Sequence, residues 1–279
     1  LDIEECYKKA FQDKDVKILT YEDEKYPPLL REIPDYPLSI YYKGNLDNID
    51  DIFNIAIVGS RMASENAKLS LNSIVSKLQN SNITVVSGLA YGIDTQAHKS
   101  AIEANLKTIA VVGSGLDFVY PVQNKKLFNE IVEKYGAVFS EYPLGTHPAA
   151  QNFPQRNRIV VGMSKGTLVA EARLKSGAMI SANLTLDYNR ELMCMPGNIL
   201  NPNTSGIYHL IKNGAGIISC ADDLLNQMGW NIINNIEEEK PVLNETEEKV
   251  LETIELEAKT FDEIALKTKE DTSKLMVSL

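Results

Sequence analysis

Four short segments hold most of the residues in this chain whose types and spacing could do chemistry. The first is Gly59-Ser60-Arg61, which ends the apolar run Ile55 to Val58 a few residues before a helical pattern. A loop placed there turns backbone N–H groups and a helix dipole toward an anion. Gly59 permits close approach, Ser60 can donate a hydrogen bond and Arg61 can fork onto a phosphate. The plainer reading is a tight turn with a solvated arginine. The second segment runs from Ser87-Gly88 to Asp94, with His98 one helical turn later. Gly88 signals backbone crowding beside a ligand or another loop. Asp94 can cap the helix that follows, and its four-residue spacing from His98 allows an ion pair on one face. No Ser or Cys nucleophile stands beside them, so Asp94 and His98 are expected to be structural and no catalytic residue is assigned.

The third segment is Phe153-Pro154-Gln155-Arg156-Asn157-Arg158, followed by an apolar run that anchors it as a helix. Arg156 and Arg158 for phosphates, Asn157 between them and Phe153 for base stacking form the combination expected of single-strand nucleic-acid binding. The alternative is that Phe153 packs inward while the arginines pair with Glu141 or Glu171. The fourth segment passes from Glu171 through Arg173 to Lys175-Ser176-Gly177 at another helix start. Ser176 and Gly177 offer a second anion-binding helix N-terminus, and Glu171 is expected to hold a neighbouring arginine in place. A further strand end, Gly113-Ser114-Gly115, lines up with the first two.

The elements that must position these segments are short Val- and Ile-rich strands alternating with amphipathic helices. Strands are expected at Ile55 to Val58, Thr84 to Val86, Thr108 to Val112, Ala137 to Ser140, Thr167 to Ala170, Leu192 to Met195 and Gly216 to Ser219. From about Ser64, Ala67, Leu71, Ile74, Val75 and Leu78 recur at helical spacing. That alternation predicts an α/β fold with a Rossmann-like, doubly wound, mostly parallel sheet over 52–229. Residues 1–51, broken by Pro27, Pro28, Pro34 and Pro37, read as a helical and irregular lead-in, with a possible strand in Leu38 to Leu46 that ends at Gly44. Residues 230–241 read as a solvated linker. Residues 242–279 read as the front half of a winged helix, with Thr260 as an N-cap and a turn at Asp271 to Ser273.

The formal net charge of -10 argues against a polyanionic ligand only as a single number. Between Ile55 and Met228 there are 15 basic and 12 acidic residues, so the flanks carry the remaining 13 basic against 26 acidic. A near-neutral core can hold a cationic groove, and phosphate affinity follows the local field. Cys6, Cys194 and Cys220 lie far apart without metal-ligand spacing and read as reduced core thiols. No metal site, cofactor motif, membrane span or export leader is visible, which predicts a cytoplasmic protein; a start at Leu1 rather than Met suggests that residues precede it.

Taken together, IAIVGSR, SGLAYGIDTQAH, YPVQNKKL, FPQRNRIVVG, EARLKSGAMISA and MPGN, in this order, resemble the DNA-processing protein A (Smf) family. The resemblance runs from about Ile18 to Met228. It implies an extended Rossmann fold that dimerises, binds single-stranded DNA and helps load the RecA recombinase during natural transformation, without cofactor or enzymatic step. Carried across, Arg61 is a principal phosphate ligand, Lys125 or Lys126 adds charge, and Phe153, Arg156, Asn157 and Arg158 shape the pocket. Tyr208 and Ile211 fall near the implied dimer contact. A competing resemblance is to nucleoside-monophosphate glycosidases of the LOG type, whose motif reads PGGxGTxxE. Here Met163-Ser164-Lys165 stands where that motif has Gly-Gly-x, and Glu171 stands four residues past Thr167 rather than three. On a strand, that shift turns the carboxylate to the opposite face.

Overall fold

Alternate residues along each central strand face opposite ways, and both faces are apolar. Ala56 and Val58 join one core cluster and Ile55 and Ile57 another; Val169 divides in the same way from Leu168 and Ala170. Strands buried on both faces need helices on both sides, which is the arrangement of a parallel sheet. The computed structural model describes residues 15–47, 53–230, 250, 260–268 and 275–276. The strands are β1 Lys17–Thr20, β2 Ser39–Gly44, β3 Asn54–Gly59, β4 Thr84–Ser87, β5 Lys107–Val112, β6 Gly136–Ser140, β7 Gly166–Glu171, β8 Glu191–Cys194 and β9 Gly216–Ile217. The helices are α1 Pro28–Arg31, α2 Glu65–Ser76, α3 Ile93–Glu103, α4 Lys125–Glu130, α5 Asn152–Gly162, α6 Gly177–Asp187, α7 Ser205–Lys212, α8 Ala221–Met228 and α9 Phe261–Thr268.

The sheet order is β1-β2-β6-β5-β4-β3-β7-β8-β9, with β1 and β2 antiparallel additions to a parallel remainder. From β3 the chain winds outward to β6, then returns to lay β7 on the free side of β3. This is the doubly wound, Rossmann-like fold expected. One face is covered by α5, α6 and α7, the other by α2, α3 and α8. Ser64 caps α2 by accepting from the Ala67 N–H at 3.3 Å, and Leu71, Ile74 and Val75 turn inward as their spacing predicts.

The chain divides into two compact units, Leu1–Asn234 and Asn235–Leu279. No boundary falls near 51. The segment read as a lead-in supplies β1 and β2, with Tyr42 opposite Phe139, and Tyr26, Leu30 and Ile33 enter the main core. The possible strand ending at Gly44 forms as β2, Ser39–Gly44, and SIYYKG is a good strand sequence; β1 was not anticipated among the prolines and acidic residues around it. Trp230, placed at the head of the linker, is buried edge-on against Phe53 at 5.5 Å. Cys194 is a core thiol as expected; Cys220 is exposed at the start of α8, and Cys6 lies outside the described residues. In the second unit, Thr260 and Glu263 cap α9 reciprocally: the Thr260 N–H donates to the Glu263 carboxylate at 2.8 Å and the Glu263 N–H to the Thr260 hydroxyl at 3.4 Å. Val250, Ile264 and Leu275 cluster there. The expected turn at Asp271 to Ser273 and most of the expected linker lie outside the described residues. No described helix is long and apolar enough to cross a membrane.

Candidate functional site

Where the winding direction reverses, the carboxyl ends of β3 and β7 flank a cleft of about 810 Å³. Open α/β sheets hold their ligands at such a point. Gly59, Ser60, Arg61, Asp94, Phe153, Arg156, Asn157, Ser176 and Gly177, all anticipated from sequence, line it. Met62, Tyr120, Arg173, Lys175 and Ile180 line it as well. Gly88 lies in a narrow slot that adjoins it.

The loop after β3 is fixed by its backbone. The Ser60 N–H donates to the Glu171 carbonyl at 2.7 Å, and the Ile93 N–H donates to the Ser60 carbonyl at 3.1 Å. Gly92, at φ +75, lets the start of α3 rest against this loop; a Cβ there would strike the Ser60 carbonyl. The Ser60 hydroxyl accepts from the Met62 N–H at 3.1 Å, which leaves its proton for a ligand. Arg61 is exposed, and its guanidinium sits 5.0 Å from the centre of the Phe153 ring.

The expectation that this loop feeds an anion to the next helix N-terminus is corrected. The protein's own carboxylate is already there. Glu171, 1% exposed, accepts from the Ser64 N–H at 3.0 Å and the Ser64 hydroxyl at 2.7 Å, and from the Asn201 amide at 3.0 Å. It neutralises the positive end of α2 rather than pairing with an arginine.

Beneath the cleft lies a buried cluster. Arg156 is 3% exposed, and its guanidinium donates to the carbonyls of Gly88 and Val111. Asp94 faces the same space and accepts from the Ala90 N–H at 3.4 Å. A Cβ at Gly88 would collide with both side chains, so the glycine makes room for the pair. Burial raises the Asp94 carboxyl and lowers the Arg156 guanidinium, each offset by the charge of the other. Arg156 is therefore a tie between strand ends and not an outward phosphate ligand, because its donors are turned to backbone carbonyls. Asp94 lies inside the first turn of α3, whose N-cap is Gly92, so it does not cap the helix. Nor does His98 pair with it. The Thr108 hydroxyl gives its proton to the Val85 carbonyl at 2.8 Å, so its oxygen accepts from His98 Nδ1 at 2.7 Å. That puts a proton on Nδ1. Burial first, and then the Arg156 charge, push His98 down to about 3.

Arg158 is corrected as well. It donates to Glu141 at 2.5 Å and approaches Asp35 at 3.5 Å, so its charge is spent joining α5 to the end of β6 and to the segment between α1 and β2. The alternative pairing with Glu141 is the one that forms. Asn157 donates to the Gly177 carbonyl at 3.3 Å, tying α5 to the start of α6.

At that start the cations are open. Arg173 and Lys175 are exposed, and Gly177 has empty space where a Cβ would be. Ser176 directs its hydroxyl back to the Arg173 carbonyl at 2.8 Å and does not cap α6. The helix thus presents its positive end to the cleft. Asn203 braces this rim, accepting from Arg173 Nε at 2.5 Å and donating to the Met62 carbonyl at 3.1 Å. Asp94 is the one carboxylate among the described lining residues, and it is buried, so the mouth of the cleft is cationic. Arg173 and Lys175 were legible as cations flanking a helix start but were not assigned to the site. Lys125 and Lys126 are exposed on α4 and do not line the cleft. Tyr208 and Ile211 are half-buried on α7, where the Tyr208 hydroxyl donates to the Gly197 carbonyl and Ile211 packs against the core.

The family model of DNA recombination-mediator protein A matches residues 17–229. Protein Smf of Synechocystis sp. is 42% identical over 221 residues, which cover 78% of this chain and 55% of that protein. DNA processing protein DprA of Streptococcus pneumoniae is 41% identical over 203 residues, covering 73% of this chain and 71% of that protein. The chain thus spans little more than half the length of the first of these. The X-ray structure of the Streptococcus pneumoniae protein superposes with a TM-score of 0.75 at 39% identity, covering 80% of this chain and 77% of that one. The structure of DNA processing protein A from Helicobacter pylori, described for its single-stranded DNA binding mode, gives a TM-score of 0.68 at 29% identity, covering 76% and 95%.

Proposed function

This chain belongs to the DNA recombination-mediator protein A family, and we propose that it binds single-stranded DNA in the switch-point cleft and passes it to a recombinase. One observation carries this reading: Arg61, Arg173, Lys175 and the open end of α6 gather at one mouth, beside the partly exposed ring of Phe153. Cations and helix amides seat phosphates, and an aromatic face stacks on a base whatever its identity. Recognition then needs no bond to be made or broken, and the protein acts as a mediator rather than an enzyme. In the cytoplasm, a dimer built on the face of α7 that bears Tyr208 and Ile211 would set two clefts on one strand, with RecA as the protein partner.

The glycosidase alternative needs a carboxylate in the cleft at Glu171. That side chain is buried, engaged with Ser64 and Asn201, and absent from the lining. The deciding experiment titrates the protein into a fluorescent single-stranded oligonucleotide at several salt concentrations, with duplex and nucleoside monophosphate as competitors. Salt-dependent binding that neither competitor displaces is the expected result. Cleavage of the monophosphate without strand binding would transfer the reading to the glycosidase.

A further inference from the structure

The cationic wall at the start of α6 lies beyond the sheet that anchors the rest of the cleft. β7 ends at Glu171 and α6 begins at Gly177, so Arg173 and Lys175 sit on the turn between them. A turn that binds through long side chains must be fixed from elsewhere, or binding has to order it first.

The support comes from Asn201 to Gly206, the segment that leads into α7, and it meets the turn almost residue for residue. The Asn201 amide donates to the Glu171 carboxylate at 3.0 Å, the Gly206 N–H to the Ala172 carbonyl at 2.8 Å, and the Leu174 N–H to the Ser205 hydroxyl at 3.4 Å. A Cβ at Gly206 would strike the backbone of Ala172 and Arg173, so only glycine lets the two segments lie this close. Within this support, Asn203 commits both ends of its carboxamide to the cleft. Its oxygen accepts from Arg173 Nε at 2.5 Å, and its NH2 donates to the carbonyl of Met62, on the loop after β3, at 3.1 Å. The Asn203 N–H donates to the Asn201 side chain at 2.9 Å and holds the residue in register. Arg173 and Met62 both line the cleft, so one half-buried amide ties its two walls together.

A guanidinium is planar, and fixing Nε fixes the plane. With Nε turned to Asn203, the two terminal NH2 groups remain as an end-on fork for an anion. Among the described residues no carboxylate forms an ion pair with Arg173 that would occupy that fork.

We propose that Asn203 is a positioning residue for strand binding: it aims Arg173 so that the terminal fork of the guanidinium grips a backbone phosphate end-on. The proposal rests on the cleft's being a single-strand site. Asn203 touches no phosphate itself; it removes in advance the rotamer freedom that an exposed arginine otherwise loses on binding. Lysine, with neither an Nε nor a plane, cannot be aimed in this way.

The test is a double-mutant cycle of Asn203→Ala with Arg173→Lys, read as affinity for a labelled oligothymidylate by anisotropy at fixed salt. With Arg173 present, Asn203→Ala should weaken binding roughly 3- to 10-fold, the effect of leaving one long side chain unordered. In the Arg173→Lys background the charge remains and the Nε is gone, so the same substitution should change affinity by less than about two-fold. Equal losses in both backgrounds would make Asn203 a brace for the loops alone, and no loss with Arg173 present would release the arginine from it; either result overturns the proposal. If the unaltered protein does not bind the strand, the single-strand reading of the cleft falls and takes the proposal with it. Asn203→Leu, which keeps the volume without the hydrogen bonds, should repeat the cycle, and matching melting curves show that each variant is folded.

Discussion

Arg156 and Arg61 border the same cleft and are tied to opposite fates. Arg156 lies beneath it with its guanidinium on two backbone carbonyls, against Asp94 and with the neutral His98 nearby. Arg61 stands at the mouth with the face of Phe153 as its contact, joined across the cleft by Arg173 and Lys175. Residue type does not separate the two groups; the supply of acceptors does. A cation surrounded by carbonyls and a carboxylate is spent on the fold, while one facing water and a ring keeps its charge for a ligand. Substitutions below should therefore move stability, and substitutions at the mouth should move the salt dependence of binding.

The largest effect is expected at Arg156. Replacement by Met strands Asp94 as an unpaired buried carboxylate and frees the carbonyls of Gly88 and Val111, which should cost about 3–5 kcal/mol. Urea unfolding measures this, and the double variant Arg156→Met/Asp94→Asn should recover part of it. A variant that keeps its stability but loses strand binding would move Arg156 to the mouth group and dissolve the comparison.

His98 comes next. Its folded value, pushed down to about 3, lies below the ordinary 6.5 of the unfolded chain, so the unfolded state takes up the proton first. The stability this contributes is complete above about pH 6.5 and drains away as the pH falls toward 3, by up to about 1.4 kcal/mol per unit. Asp94, raised by burial, acts in the opposite sense and loses its contribution as the pH rises. His98→Asn keeps a donor for Thr108 but cannot titrate. Its stability should decline less steeply than that of the unaltered protein between pH 6.5 and 4, and identical slopes would mean that His98 titrates normally.

At the mouth, Arg61→Ala should weaken single-strand binding by about ten-fold at moderate salt. The slope of log affinity against log salt should fall by about 0.7, the value for one phosphate on a single strand. The melting temperature should hold, because nothing buried depends on the side chain. An unchanged slope would take Arg61 out of the phosphate path.

How much of this was legible in the sequence follows the same division. Period-two burial fixes strands to within a residue or so because each central strand feeds two cores at once, as Ile55, Ala56, Ile57 and Val58 do. The strand ending at Gly44 is legible in LSIYYKGNL, but its place in the main sheet is not, because its pairing partner, β6, is far away in sequence. Glycine-rich strand ends located the cleft, since topology places them together. The roles of single charges were less legible. Glu171 occupies the end of α2 and Arg158 is taken by Glu141 through contacts more than a dozen residues apart, and no local pattern encodes those. Arg173 and Lys175 were readable in principle, because a strand end, two cations and an open helix start adjoin in the chain.

The smallest effect is expected at Lys125 and Lys126, where the comparison can be sharpened. Both are exposed on α4, just beyond Gln123, the partner of Tyr91. A free lysine with no concave wall behind it binds phosphate weakly, and salt screens it over about 10 Å at 0.1 M. On an oligonucleotide just long enough to fill the cleft, Lys125→Ala/Lys126→Ala should change affinity by less than about two-fold and leave the salt slope intact. A slope reduced by about 1.4, two phosphates' worth, would place a strand over α4. Free charge alone would then suffice for binding, and the concavity that separates Arg61 from an ordinary surface cation would lose its part in the argument.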